Sequence, residues 1–365
     1  MTWVIVCLII SYLIFITTLH VGWSKCTQGH GERPTDKVQA FTVLIPFRNE
    51  QYSLTQLIQQ LSNLPVTGSG LEQIILVDDN SDSHITESHR SQIADDDRFL
   101  MLSNEGSGKL SAIRGGIKHV KTNWIVAMDA DNVIPDSWLP SLQKALQSNE
   151  DAQLILFPLK GLSTDSLASK YASLDFASLI GSGLSLSGLG RPIMANGAHM
   201  AYKKDIAQWD ENYVTGDDVF LLHKIKAKGG RITQVIDKGL IVETEMPDSW
   251  SSLLQQRVRW ASKSKLYKDR DTLIIGWYLL LFNLLLWVLF ILGFWRLEYM
   301  YLFLTMFLVK SLMDWTYLYR ICSWMGTKGL VKYFPLASIV NSLMFPIVMW
   351  RSVTKGYSWK GRDHR

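Results

Sequence analysis

The chain has 365 residues, 47% of them hydrophobic, with 14 Trp and a formal net charge of +4. That charge is too small to argue for a nucleic-acid partner, whereas the apolar and tryptophan content points to membrane contact. Three cysteines, Cys7, Cys26 and Cys322, with no C-x-x-C, supply neither a disulfide framework nor a zinc site.

Residues 1–23 are read as an N-terminal transmembrane helix, because 2–22 is apolar enough to cross a bilayer. No Lys or Arg precedes this run, while Lys25, Arg33 and Lys37 come after it. The positive-inside rule then places the residues beyond the helix in the cytoplasm, and the missing basic n-region argues against a cleaved signal peptide. Residues 24–40 read as a polar linker containing Gly29, Gly31 and Pro34.

From 41 to 248 strands and helices alternate, which predicts a mostly parallel sheet with helices on both faces. Phe41 to Pro46 is a strand ended by proline, and Ser53 is placed to cap a helix carrying Leu54, Leu57, Ile58 and Leu61. Residues 73–77 and 98–102 are the next two strands, Gly108-Lys109 opens a helix reaching about Val120, and 124–128 and 152–157 are further strands. The stretch 167–189 reads either as an amphipathic helix on the membrane followed by a flexible loop at Gly181-Ser182-Gly183, or as a core helix with a glycine stop.

Residues 249–271 form an interfacial amphipathic segment rich in Arg and Lys, a pattern that anionic headgroups attract. Residues 272–350 hold C-terminal membrane helices. The runs 272–295 and 299–319 are spanning candidates, and 333–350, with Pro335 and Pro346, is spanning or re-entrant. A third full span would leave the basic tail 351–365 outside, against the charge rule, whereas a re-entrant segment keeps it cytoplasmic. Lys310 and Asp314, one helical turn apart, are expected to neutralise each other.

Chemistry gathers at the strand ends. Asn49-Glu50 succeeds the first strand, Asp78-Asp79 the second, and Asp129-Ala130-Asp131-Asn132 the fourth; Thr215-Gly216-Asp217-Asp218 opens a helix. In open α/β sheets, ligands sit at this edge. Asp129 and Asp131, read with no basic neighbour, would repel each other. A divalent metal held by hard oxygens and by ligand phosphates offsets that charge.

These segments in order resemble a membrane-bound family-2 glycosyltransferase of the cellulose synthase, hyaluronan synthase and ceramide glucosyltransferase group. The matching motifs are V-L-I-P-F-R-N-E (43–50), V-D-D-N-S (77–81), G-K-L-S-A-I-R-G-G-I (108–117), D-A-D (129–131), T-G-D-D (215–218), Q-R-V-R-W (256–260) and W-K-G-R (359–362). The resemblance implies a GT-A fold, a Rossmann-like nucleotide-sugar-binding mixed sheet flanked here by membrane helices. It also implies inverting transfer from a nucleotide sugar, a UDP-sugar in the first instance, with Mg²⁺ or Mn²⁺ as cofactor.

By the same resemblance, Asp79 is similar to the aspartate that binds the nucleobase, and Pro46 and Glu50 to residues of that pocket. Lys109 resembles the lysine near the nucleotide, Asp129 the acid beside ribose and sugar, and Asp131, with Asp129, the metal ligand. Asp218 matches the general base, with Asp217 where the companion is usually Glu. Gln256, Arg259 and Trp260 resemble the motif that contacts the diphosphate and the acceptor. Asn196 to Tyr202 is similar to an acceptor-side segment, with His199 where Asn is more usual; a buried, hydrogen-bonded histidine is the preferred reading there.

The expected protein is therefore a multi-pass membrane enzyme whose cytoplasmic domain passes sugar to a lipid or lipid-linked glycan. A processive polysaccharide synthase is the alternative within the class. A non-catalytic membrane scaffold and a metal-dependent phosphohydrolase are the alternatives outside it.

Overall fold

The computed structural model describes residues 2–28, 37–209, 216–354, 357–359 and 362–364. The expectations for Gly29, Gly31, Arg33, Pro34 and Thr215, and for Lys355, Lys360, Gly361 and Arg365 of the tail, fall outside the described residues.

The helices in chain order are α1 (Thr2–Thr27), α2 (Tyr52–Ser62), α3 (Ser83–Gln92), α4 (Lys109–Ile117), α5 (Trp138–Gln147), α6 (Leu167–Gly188), α7 (Val219–Ala227), α8 (Trp250–Ser262), α9 (Arg270–Leu292), α10 (Leu297–Trp324) and α11 (Phe334–Thr354). The strands are β1 (Phe41–Phe47), β2 (Leu71–Asp78), β3 (Phe99–Ser103), β4 (Trp124–Met128), β5 (Leu154–Leu156), β6 (Leu159–Leu162), β7 (His199–Lys203), β8 (Ile232–Gln234), β9 (Val242–Glu245), β10 (Tyr357–Trp359) and β11 (Arg362–His364). The chain divides into two compact units. Lys25–Leu162 with Ser187–Glu245 carry the main sheet; Met1–Ser24, Ser163–Leu186 and Met246–Arg365 carry the long helices. Within the stretch 41–248, expected as the catalytic domain, residues 163–186 group with the long helices.

In the sheet unit the strand order is β3-β2-β1-β4-β7-β5-β8, with β6 and β9 paired separately in parallel. β1 pairs in parallel with both β2 and β4. The chain steps outward from β1 through β2 and β3, then returns to β4 on the other side, so a topological switch point falls between β1 and β4. Their carboxyl ends lead to Glu50 and Asp129. β7 runs antiparallel to both β4 and β5, while the other four pairings are parallel, so the sheet is mixed and, as expected, mostly parallel. The register Met128↔His199 sets the start of β7 beside the end of β4.

Every residue of β1 is buried, as expected for a central strand covered on both faces. The strand does not stop at Pro46 but runs to Phe47. β4 leaves β1 at Leu44↔Ala127, so the residue that lacks an N–H has a strand neighbour on one side only. Helix α2 buries Leu54, Leu57, Ile58 and Leu61 as the spacing predicts, each such side chain stabilising by roughly 1.5–3 kcal/mol. Ser53 lies inside this helix rather than capping it, and its Oγ donates to Glu245 Oε1 at 2.9 Å. Helix α4 ends at Ile117, short of Val120.

In the helical unit α1 is longer than expected, reaching Thr27. Helix α6 is continuous through Gly181-Ser182-Gly183, so the flexible loop is replaced by a core helix that ends at Gly188. Buried Ala168, Tyr171, Leu174, Phe176, Ile180 and Leu184 account for this. A Cβ on Gly181 would stand 2.8 Å from Ile321 Cγ1, so the glycine admits α10 at close range.

Among the described residues, three helices are long and apolar enough to cross a membrane: Ile5–Thr27, Arg270–Leu292 and Lys328–Ser352. Helix α10, one of the expected spans, is 28 residues long but less apolar, with Lys310, Asp314 and Arg320 along it. The third C-terminal segment is one continuous helix with Pro346 inside it. Asp314 accepts from Lys310 Nζ at 2.6 Å and from Tyr12 Oη at 2.5 Å, so the pair is neutralised and tied to α1.

Candidate active site

The loops after β1 and β2 brace each other. Asn49 and Asn80 both adopt left-handed backbone, at φ 52 and 57, a conformation that Asn tolerates better than most residues. Arg48 Nη1 donates to the carbonyls of Asp79 and Asn80 at 2.7 and 2.8 Å, and Asp82 N donates to Asn49 Oδ1 at 2.9 Å. Asp79 is buried, and its Oδ1 accepts from Asn104 Nδ2 at 2.7 Å and from Gly108 N at 2.9 Å. The expected nucleobase aspartate therefore also anchors the turn into α4. Asp78 faces its own loop, accepting from Ser81 N at 2.9 Å and Thr86 Oγ1 at 2.6 Å. Pro46 is buried within β1, and Glu50, half-buried, accepts at its carbonyl from His89 Nε2 at 2.9 Å.

Lys109 is the first residue of α4, directly after Gly108 at φ 92. A cation is unfavourable at a helix N-terminus unless acids answer it. Here two do: Nζ lies 2.7 Å from Asp129 Oδ1 and 3.3 Å from Asp217 Oδ2. Burial works against the charge on Lys109, but Asp129, Asp217 and Asp218 outweigh it and hold the ammonium well above its ordinary pKa. This corrects the expectation that the acidic pair has no basic neighbour. Lys109 joins the acid that ends β4 to the acid that precedes α7.

Asp131 is left with less compensation. Its Oδ2 accepts from Thr244 Oγ1 at 3.1 Å. Burial first, then Asp129 and Glu50, push its pKa up to about 7. A site that crowds carboxylates and resists the second charge suits a hard divalent cation. Among the described residues no three His, Cys, Asp or Glu side chains gather to hold a metal by themselves. Any ion at Asp131 and Asp129 would therefore need further donor atoms from outside the described side chains.

Asp217 and Asp218 are held differently. Asp217 is buried, and its carbonyl accepts from Trp209 Nε1 at 2.8 Å. Asp218 caps α7, its Oδ1 accepting from Val219 N at 2.7 Å, while Oδ2 accepts from Gly197 N at 3.3 Å. Gly197 lies so close that a Cβ there would stand 2.5 Å from Asp217 Oδ2 and 3.1 Å from Lys109 Nζ. Asn132, beside the acidic pair, donates from Nδ2 to Ala198 O at 2.5 Å, a link that its place in the sequence does not announce. His199 is buried and hydrogen-bonded, as preferred on sequence grounds: Trp138 Nε1 donates to its Nε2 at 3.1 Å, and burial pushes its pKa down to about 3.

Gln256, Arg259 and Trp260 belong to α8 in the helical unit, whereas the acids belong to the sheet unit. Gln256 Oε1 is buried without a hydrogen-bond partner among the described residues. Trp260 carries the Arg257 guanidinium over its ring at 4.6 Å and meets Phe176 at 6.2 Å. Arg257 also forms a short ion pair with Asp175 of α6. This pairing inside the Q-x-x-R-W segment is invisible to spacing, because Asp175 lies far away in sequence.

Two family models match the chain: Glycosyl transferase family 2 over residues 42–174 and Glycosyl transferase family group 2 over 124–325. A poly-beta-1,6-N-acetyl-D-glucosamine synthase of Staphylococcus aureus is 24% identical over 233 residues, covering 62% of this chain and 55% of that protein. A probable glycosyltransferase of Sulfolobus acidocaldarius is 25% identical over 233 residues, 61% of this chain and 49% of its own. The chain thus spans about half the length of these curated relatives. Among solved structures, a mannosyltransferase of Pyrobaculum calidifontis in complex with GDP-Man and Mn²⁺ superposes with a TM-score of 0.51 at 12% identity, covering 93% of this chain and 99% of that one. That likeness establishes the GT-A architecture.

Proposed function

The chain belongs to glycosyl transferase family 2, and from that membership we propose that it is an inverting transferase carrying a sugar from a nucleotide donor, a UDP-sugar foremost, to a lipid or lipid-linked glycan at a membrane. The observation that carries the reading is the bridge of Lys109 between Asp129 and Asp217, because it draws the ends of two motifs into one charged edge beside the switch point. The three long apolar helices support a membrane-borne acceptor.

In this reading Asp79, Pro46 and Glu50 hold the nucleoside side of the donor, and Lys109 lies near its phosphates. Asp131, with Asp129, would hold Mg²⁺ or Mn²⁺, which when bound offsets the charge gathering on the leaving diphosphate. Asp218 takes the proton from the acceptor hydroxyl; that oxygen bonds to the anomeric carbon as the carbon–phosphate-oxygen bond breaks on the opposite face. A base so placed is worth about 10²–10⁴ in rate. The oxocarbenium character of such a transition state favours fixed negative groups around the sugar. Asp217 keeps Lys109 in place. Gln256, Arg259 and Trp260 are assigned to the diphosphate and the acceptor on the strength of their motif, with the catalytic unit on the cytoplasmic side.

Processive polysaccharide synthesis is the second reading, favoured by the name of the staphylococcal relative. Purified protein incubated with Mn²⁺, a panel of labelled nucleotide sugars and a membrane lipid extract tests both. One sugar on a lipid supports single transfer, a long polymer supports processive synthesis, release of sugar phosphate without an acceptor supports a phosphohydrolase, and no turnover supports a scaffold.

A further inference from the structure

The turn Asn196-Gly197-Ala198 is fastened from two sides within the sheet unit. From the β4 end, Asn132 Nδ2 donates to Ala198 O at 2.5 Å. From the α7 end, Asp218 Oδ2 accepts from Gly197 N at 3.3 Å. Asn196 Oδ1 accepts from Ala198 N at 3.0 Å and Asn196 O from His199 N at 3.1 Å, which fixes the turn internally. The antiparallel register Met128↔His199 explains why the reach is short: the acidic loop leaves β4 where the turn enters β7.

The buried amide of Asn132 is only half satisfied. The side chain is buried, yet Oδ1 has no hydrogen-bond partner among the described residues. Burying a polar atom unpaired is destabilising, so the amide holds the Ala198 carbonyl at a cost to stability. What the amide achieves is a fixed distance between the loop bearing Asp129 and Asp131 and the turn that touches Asp217, Asp218 and Lys109. Gly197 is the point of touch: its missing Cβ lets the turn lie against the Lys109–Asp217 pair.

We propose that Asn132 is a positioning residue for the transfer step: through Ala198 and the turn it sets where Asp218, the proposed base, stands relative to the acids that end β4. The proposal rests on the functional reading above. It assigns to Asn132 no contact with donor or acceptor.

The test compares Asn132→Ala, Asn196→Ala and the double variant with the wild type in detergent, using the donor and acceptor that the labelled-sugar assay identifies. Asn149→Ala is the control: Asn149 is buried in the same unit, and its Nδ2 donates to the local Ala145 carbonyl at 2.8 Å. Asn132→Ala should lower kcat by about 10²-fold, the effect of a displacement on the order of an ångström. The KM for donor and the binding of UDP with Mn²⁺ should hold, and the unfolding midpoint should fall no further than in Asn149→Ala, since each variant loses one buried amide-to-carbonyl bond. The double variant should lose no more than the worse single one, because both act through one turn. Asn149→Ala should lower the midpoint and keep kcat. Unchanged kcat in folded Asn132→Ala, a matching rise in donor KM, or multiplicative losses in the double variant would overturn the proposal. If Asn132→Ala does not fold, Asn196→Ala is judged on the same criteria. A wild type without transfer fails the functional reading and this proposal together, whereas wild-type transfer with an indifferent Asn132→Ala fails only the latter.

Discussion

Replacing Asp218 by Asn tests its proposed role as base apart from folding, because the cap on α7 and the proposed proton transfer differ in size. Its Oδ1 caps α7 through Val219 N at 2.7 Å, and an Asn carbonyl keeps that bond. Its Oδ2 accepts from Gly197 N at 3.3 Å; an Asn amide would set N–H against N–H there, losing one hydrogen bond, about 1 kcal/mol. Loss of the base costs about 10²–10⁴ in rate, or roughly 3–5 kcal/mol at 1.36 kcal/mol per decade. Catalysis should thus fall far more than stability. Asp131 and Asp129 are untouched, so UDP should bind with unchanged affinity in the presence of Mn²⁺. Single-turnover transfer, calorimetric UDP binding and thermal unfolding on the same sample measure the three quantities. A variant that keeps kcat within about threefold, or that loses binding in step with kcat, would refute the assignment and move the role to Asp217.

Asp131→Ala should weaken UDP binding chiefly in the presence of Mn²⁺, bringing the affinities with and without metal together; titration calorimetry at both conditions measures it. His199 gives a pH signature. Its folded pKa lies near 3, below the value of about 6.5 in an unfolded chain, so the unfolded state binds the extra proton and stability falls as pH drops below about 6.5. At pH 5 the loss from this group is about 2 kcal/mol, and His199→Gln should flatten that part of a denaturation-versus-pH curve. In α10, Asp314→Leu strands Lys310 and should cost about 3–5 kcal/mol, whereas Lys310→Met with Asp314→Leu should recover part of it, the Tyr12 hydroxyl still lacking its acceptor; unfolding midpoints in detergent distinguish them.

The sequence discloses most readily those features that repeat at short range. The apolar runs of β1, β2 and β4 and the acids at their ends are local, and so is the spacing that builds α2. The short strands β6, β8 and β9 carry too few residues for an alternation to register, and the antiparallel course of β7 depends on a return path that no local pattern encodes. Gly181 reads as part of a break because its reason, contact with α10, lies far along the chain. The pairing of Lys109 with Asp129 and Asp217, and of Arg257 with Asp175, is likewise long-range. Motif order names these residues, but only the fold supplies their neighbours.

Helix α6 has a practical consequence for anyone preparing the enzyme. It sits mid-chain in sequence, between β6 and β7, yet it groups with the long helices, with Ser185 hydrogen-bonded to Tyr317 and Gly181 close against Ile321. A recombinant fragment trimmed to 41–248 would carry this greasy segment with nothing to shield it. Such fragments should aggregate, and a water-soluble version would need the helix excised and the flanking strands rejoined by a designed connector.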